Sequence, residues 1–429
     1  MFSSAHIESL PVQTGRGTGP APLQGVLIAD FTHYIAGAYA SMMLADLGAT
    51  VIKIEPPGKG DDFRYYPPHA DGFGQDGAAY LWANRNKLSC AVDLKHPQGK
   101  QWVLDLLAQA DVLIENYSTG VMDKLGLGYE ALQPVRPNLV YCSVSAYGRQ
   151  GSQAHRSGFD SVIQGESGFA SQNGYADRPG VRAASPVMDI ATAMMASNAV
   201  LAALLHRSHT GQGQYVEVAM CDVAAGMTGY AAMQTLCTGL EPMRHGNVSP
   251  DTSPTGVFSC ADGEFFLHCG NTAIFQRLFE QVVQRPDIAF DPAYQHSAGR
   301  RQGREHLTNV LQTLFQAQPW SLWQQRLASA GVPAGLIQTV GAALHSPLMM
   351  ERGMVGRLAH PTLGWVPNVA SPWRFAESPV VQAVAAPLLG QHTRQVSLDV
   401  LAWPSERLNA ALEQGALQAG VIPECVHKE

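Results

Sequence analysis

Few residues that ordinarily carry chemistry stand in a diagnostic pattern in this chain. No GxxxxGK[ST], GxSxG or HExxH spacing occurs among its 429 residues. Lone histidines such as His33 and His268 are more often structural than catalytic. The seven cysteines, Cys90, Cys142, Cys221, Cys237, Cys260, Cys269 and Cys425, form no CxxC pair. That argues against a disulfide framework and a structural zinc site, and fits a reducing cytoplasm. Two carboxylates merit attention. Glu55 closes the run Val51-Ile52-Lys53-Ile54, where a dinucleotide-binding unit places its ribose-binding acid. The preceding turn, Asp30-Phe31-Thr32-His33-Tyr34-Ile35-Ala36-Gly37, is not GxGxxG. The one similar piece, Gly15-Arg16-Gly17-Thr18-Gly19-Pro20, precedes any strand, so NAD binding is set aside. Asp189, in Pro186-Val187-Met188-Asp189, opens a long apolar run. On pattern alone it is a helix N-cap, worth about 1 kcal/mol.

The elements that must position these groups follow from periodicity. Val26-Leu27-Ile28-Ala29 is a buried strand, residues 38–47 a helix stopped by Gly48, and 51–55 the next strand. This βαβ pattern recurs as helix 98–110, strand 112–114, a helix near 120–133 and strand 139–143. Such alternation predicts an α/β fold with a mostly parallel sheet and helices on both faces. A long helix over 187–206 leads to strand 215–218. A loop-like stretch at 240–256 marks a domain boundary, followed by the hairpin 257–260 and 264–268 around Asp262-Gly263. Helices follow at 272–284, 304–330 and 404–418.

Bulk composition narrows the class. Hydrophobic residues make up 46% of the chain and charged residues 15%, against about 25% charged on average. Disorder is excluded, and no stretch approaches the roughly 20 apolar residues of a membrane span. With a net charge of -7 and no basic stripe, duplex nucleic acid is not an expected partner. The N-terminus lacks the charged and apolar regions of a secretory signal and reads as a flexible leader over 1–24.

Seven collinear pieces resemble the class III CoA-transferases, the formyl-CoA/carnitine CoA-transferase (CaiB/BaiF) family. They are GVLIADFTHYIAGAYASMMLADLGATVIKIEPPGKGD (25–61), NRNKLSCAVDLKHPQGK (84–100), ADVLIENYSTGVMDKLGLGYE (110–130), PVMDIATAMMASNAVLAALLHRSHTGQGQYVEVAMCD (186–222), DGEFFLHCGN (262–271), AGVPAGLIQTVGAALHSPLMMERGMV (330–355) and APLLGQHT (386–393). The resemblance implies a large Rossmann-like domain with a parallel sheet, a smaller α+β domain, and a homodimer of interlocked rings. Its domains would be a large N-terminal part over 25–209, linker 210–245, small domain 246–310, linker 311–334, and 335–429 completing the large domain. It further implies transfer of CoA from an acyl-CoA to a free carboxylic acid. Coenzyme A would be a substrate, with no tightly bound cofactor and no metal. Succinyl-CoA is the donor that family frequency favours.

Site roles follow from the same resemblance. Asp189 would be the nucleophile that carries CoA as an aspartyl thioester. His33, Tyr34, Ile35 and Ala36 would wrap CoA, with Ile35 standing where some members have Gln. Val92, Asp93, Leu94 and Lys95 would line the adenine side. Asn116, Tyr117 and Ser118 sit at a strand end that binds ligands in such sheets. Lys124 would meet CoA phosphates. Pro56 replaces a second cation of some members, and Arg156 is a candidate substitute. Asp160 matches an acidic position near the active site. Gly270 and Asn271 match a loop whose N–H groups would stabilise an oxyanion. Arg244, His245 and Asn247 are weaker candidates for a second carboxylate, a surface loop being the plainer reading. The alternative is a racemase of the α-methylacyl-CoA type. That branch uses a His where this chain has Phe159, and a phenyl ring cannot accept a proton. A non-catalytic CoA-binding protein is the third reading.

Overall fold

The computed structural model describes residues 4–15, 19–69 and 76–420, which divide into two compact units. The larger comprises residues up to Phe169, Ala183–Ala232 and His345 onward; the smaller comprises Ala170–Arg182 and Met233–Leu344.

The larger unit is built on a seven-stranded sheet. Its strands are β1 (Leu27–Phe31), β2 (Thr50–Glu55), β3 (Lys87–Val92), β4 (Val112–Glu115), β5 (Val140–Ser145) and β6 (Tyr215–Ala219), with the short strand Leu417–Gln418 at one edge. The order across the sheet is Leu417–Gln418, β3, β2, β1, β4, β5, β6; only the Leu417–Gln418 strand runs antiparallel. Alternation along each strand feeds two cores. Ala29, Phe31, Ile52, Ile54 and Leu113 meet Trp102, Val103 and Leu106 of the helix Pro97–Leu107. Ile28, Val51, Val112 and Ile114 meet the helices Ala36–Asp46 and Val187–Thr210 on the other face. Helices cover both faces, so the strands carry near-continuous apolar runs. Chain order reverses between β1 and β4, which opens a crevice at their C-terminal ends.

Charge is buried beneath that crevice. Lys53 is fully enclosed, donating to the Thr32 carbonyl at 2.6 Å and pairing with Asp61 at 2.9 Å. Lys87 donates to Asp30 at 3.0 Å and to Asn84 at 2.9 Å. Arg64 binds both oxygens of Glu55, at 2.7 and 2.8 Å, and also meets Asp76 and Tyr80. Glu55 is therefore a partner of Arg64 and Ser89 rather than a ribose ligand. Paired in this way, its carboxyl lies down near about 2 despite burial.

Several expectations need correction. The residues expected to form a flexible leader include the short helix Ser4–Glu8. Ile7 and Leu10 are buried, and Val12 bridges to Arg357 of the hairpin Val355–His360/Gly364–Val369, a region the pattern reads only as loops and short strands. The helix expected near 120–133 is two short ones, Val121–Lys124 and Tyr129–Leu132, because Gly126 turns at φ 68°. One segment does have the length and apolarity of a membrane span. Val187–Thr210 runs 24 residues with a mean hydropathy of 1.6 in its most apolar window. Its Ala and Ser content hid that from a count of large apolar residues. Met188, Ala193, Ala196, Val200 and Ala203 form a buried stripe on the core, as small residues permit close helix packing. Gly211, at φ 73°, ends the helix.

The smaller unit contains β7 (Thr255–Cys260), β8 (Gly263–His268) and β9 (Ala334–Leu336), all antiparallel, so the Asp262-Gly263 turn is a hairpin as read. Its core joins Phe258, Phe265 and Phe275 to Leu307, Phe315, Trp323 and Leu327. Those last side chains explain why 311–334 is part of this unit and not a linker. The expected helix 304–330 breaks into Arg304–Gln316 and Trp320–Ser329 at Pro319. Likewise 210–245 is not a linker, since β6 lies within the large sheet.

Candidate active site

Asp189 occupies the third position of the helix Val187–Thr210. It is thus not the N-cap; Pro186 is, and a proline offers no side-chain acceptor. The capping task falls to Asp160, which starts the helix Asp160–Glu166. Asp160 Oδ2 accepts the backbone N–H of Met188 at 2.7 Å and of Asp189 at 3.3 Å. Its Oδ1 accepts from Gln164 Nε2 at 2.5 Å, and Gln164 Oε1 accepts the Ala183 N–H at 2.8 Å. Gln164 is fully buried, and its place four residues after Asp160 sets both side chains on one helix face. The free N–H groups at the start of the long helix are thereby spent on Asp160.

The Asp189 carboxylate itself accepts no hydrogen bond among the described residues. Burial first, and the negative charge of Asp160 second, raise its carboxyl to about 7. A poorly solvated, more basic carboxylate is a stronger nucleophile than one in water, at the cost of being partly protonated at neutral pH.

Two loops meet in the crevice between β1 and β4. The His33 N–H donates to Asn116 Oδ1 at 2.9 Å, and Asn116 Nδ2 returns a bond to the His33 carbonyl at 2.8 Å. The Tyr34 N–H donates to Asp61 Oδ1 at 3.2 Å. Tyr34 holds φ 59°, a left-handed conformation rare for a bulky residue and frequent where a backbone must present groups to a ligand. Rings line the crevice: His33 lies 5.4 Å from Tyr117, and Tyr34 lies 5.8 Å from Tyr66 and 6.1 Å from Phe159. Phe159 is the neighbour of Asp160, so this ring contact carries the loop after β1 to the Asp160 that caps the Asp189 helix. Ile35 starts the helix Ala36–Asp46 with no side-chain cap, and Ala36 is buried.

Val92 ends β3 and is buried; Asp93 Oδ1 accepts the Lys95 N–H at 2.9 Å, Leu94 packs on the core and Lys95 is exposed. The Tyr117 N–H binds Glu115 Oε2 at 2.9 Å, and Ser118 is exposed beside it. Lys124 is exposed at the end of Val121–Lys124. Arg156 is half-exposed, pairs with Glu166 and lies 4.7 Å over the Tyr147 ring, so its charge is already matched. In the smaller unit, Asn271 caps the helix Thr272–Arg277 by accepting the Ile274 N–H at 2.9 Å, and Gly270 precedes it. Arg244 spends its guanidinium on the carbonyls of Ser171, Tyr175 and Arg178. That makes it a loop strut rather than a free carboxylate receptor, with His245 and Asn247 in the same exposed loop.

Three positioning groups were not singled out from sequence. Asp61 orders the turn after β1, and its only sequence signal is its place at the end of GKGD. Gln164 shows only as a polar residue at helical spacing from Asp160. Arg149 ties β4 to β5, donating to Glu115, Ser143 and the Tyr117 carbonyl.

The family model for CoA-transferase family III matches residues 23–393. The chain belongs to that family. A succinyl-CoA:glutarate CoA-transferase of Mus musculus is 32% identical over 398 residues, covering 92% of this chain and 90% of that protein. A succinate–glutarate CoA-transferase of Agrobacterium fabrum is 34% identical over 383 residues, 87% of this chain and 94% of its own. A crystal structure of a CaiB/BaiF family protein from Brucella suis superposes with a TM-score of 0.80 at 32% identity, covering 89% of this chain and all of that one. This family III member is therefore an enzyme of the CoA-transferase type with a mixed α/β fold.

Proposed function

We propose that this enzyme moves CoA from an acyl-CoA donor to a free carboxylic acid through a covalent thioester on Asp189. The observation that carries the reading is the Asp189 carboxylate, poorly solvated, without a hydrogen-bond partner among the described residues, beside Asp160 and near the ring-lined crevice. An Asp189 oxygen attacks the donor's thioester carbonyl carbon, the C–S bond breaks, and CoA leaves as thiolate, giving a mixed anhydride. The thiolate attacks Cγ of Asp189 and expels the donor acid as carboxylate, leaving aspartyl-CoA. The acceptor carboxylate attacks the same carbon and releases the thiolate. That thiolate takes the acceptor's carbonyl, yielding the new acyl-CoA and free Asp189. Charge is conserved at each step and no external base is needed.

The loops after β1, β3 and β4 (His33–Ala36, Val92–Lys95 and Asn116–Ser118) would hold CoA, with Lys124 at its phosphates. Gly270 and Asn271 would supply N–H groups to the oxyanion. Relatives named for glutarate, and one from Acetobacter aceti named for acetyl-CoA with oxalate, favour a short dicarboxylic acceptor, and those named for succinyl-CoA with glutarate favour succinyl-CoA as donor. A homodimer fits a surface poor in charge, with Tyr230 and Leu236 both more than three-quarters exposed. A cytoplasmic location fits the free cysteines. A donor-by-acceptor screen tests the reading. Transfer from succinyl-CoA to dicarboxylates supports it, and α-carbon deuterium exchange without transfer to any acid would favour the racemase instead.

A further inference from the structure

A cavity of about 330 Å³ lies against β4, β5 and β6, which line it with Glu115, Tyr141, Ser143, Tyr215 and Glu217. Three tyrosines form one part of its wall. Tyr129, Tyr141 and Tyr215 have ring centroids 5.4 to 5.9 Å apart. Tyr141 is 3% exposed, and its hydroxyl has no hydrogen-bond partner among the described residues. The hydroxyl opens to the cavity rather than being sealed in the core, so it is available to a ligand group.

The charge around the cavity is one-sided. Glu115, Asp123, Glu130 and Glu217 line it, against the single guanidinium of Arg149. Arg149 has no capacity left for a ligand. Its Nε binds Ser143 at 2.7 Å, one terminal nitrogen binds the Tyr117 carbonyl at 2.6 Å and Thr119, and the other binds Glu115 at 2.8 Å and the Val144 carbonyl at 3.1 Å. Neutralising Glu115 in this way still leaves three carboxylates, of which Asp123, Glu130 and Glu217 are exposed. An anion such as a CoA phosphate would be repelled. Clustered aromatic rings beside carboxylates suit an organic cation.

We propose that this cavity is a second small-molecule site, selective for an alkylammonium ligand whose N–H groups reach the Tyr141 hydroxyl and the acidic rim. It has the size of a small-ligand pocket, for which about 300 Å³ is the lower end. Because Ser118, which the proposed function gives to CoA, also lines it, the experiment separates the two sites.

The test is calorimetric titration of the full chain with ethylammonium chloride against sodium chloride at equal ionic strength, with and without saturating CoA. The expected result is one saturable site per chain, unaffected by CoA. It should weaken at least about tenfold in Tyr141→Phe and in the rim variant Asp123→Asn/Glu130→Gln, as loss of a buried bond or of rim charge requires. The rim variant changes only exposed side chains, so it remains informative if Tyr141→Phe proves unstable. No saturable binding, equal affinity in a folded variant, or displacement by CoA would each overturn the proposal. None of these readouts depends on transfer activity.

Discussion

The backbone N–H of Asp189 donates to Asp160 at 3.3 Å, so the residue that caps the helix is also the nearest negative charge to the carboxylate the helix presents. One carboxylate thus serves structure and raises the basicity of another. Two carboxyl groups in different surroundings, one hydrogen-bonded and one bare, are the arrangement by which proteins separate the proton affinities of like groups.

The first consequence is a pH profile. Asp189 attacks as the anion, and its carboxyl lies at about 7. The rate of the donor half-reaction should therefore rise with pH, with a midpoint near 7, and level off above it. Pre-steady-state release of the free donor acid from the acyl-CoA, followed from pH 5 to 9, measures this. A rate independent of pH down to 5 would contradict it.

Asp160→Asn removes the neighbouring charge but retains one accepting oxygen. The midpoint should move to lower pH, while stability falls by about 1 kcal/mol, the worth of a weakened cap. Asp160→Ala should cost more stability and lower kcat through a displaced Asp189. If both variants keep the wild-type midpoint, Asp160 has no electrostatic hold on Asp189.

Asp189→Asn gives a stability test with a definite sign. The folded protein binds the Asp189 proton more tightly than the unfolded chain, whose carboxyl titrates near 3.8. Folding is therefore unpenalised below that value, and stability is lost as pH rises from about 4 to about 7. Asn cannot ionise, so the variant should be more stable than the wild type at pH 8, by a few kcal/mol at most. The advantage should shrink toward pH 4. Thermal unfolding at the two pH values reads it, and a variant less stable at pH 8 would refute the sign.

Buried charge predicts an asymmetry of another kind. Arg64→Met leaves Glu55 and Asp76 enclosed without their partner and should cost about 3–5 kcal/mol. Loss of the exposed Arg156–Glu166 pair should leave stability nearly unchanged, since water screens it. Urea unfolding of the two variants compares them directly.

Much of this was legible in the sequence because it rests on local patterns. The βαβ alternation around Val26–Ala29 and Val51–Glu55 gave the parallel sheet, and Asp262-Gly263 gave the hairpin. Asp189 stood out as the acid opening the longest apolar helix. What was not legible depends on groups distant in sequence. Asp160 caps a helix through Met188, 28 residues further along the chain, which no local signature encodes, so Asp189 itself read as the cap. Val187–Thr210 reads as a long apolar helix but not as one with the length and apolarity of a membrane span, because alanine and serine dilute its large side chains. Lys53, Glu55 and Arg64 look like surface charges in a string of letters, and only the packing of β1, β2 and β3 shows them paired inside. The low overall charge is sharper for it, since some of the few charges are spent in the interior.

The most direct test of the covalent mechanism is the mass of the intact chain after mixing with succinyl-CoA and no acceptor acid, followed by peptide mapping. The account predicts a CoA adduct on the peptide containing Asp189, absent from Asp189→Asn and discharged when an acceptor acid is added. Transfer without any adduct, or the same adduct on Asp189→Asn, would contradict it.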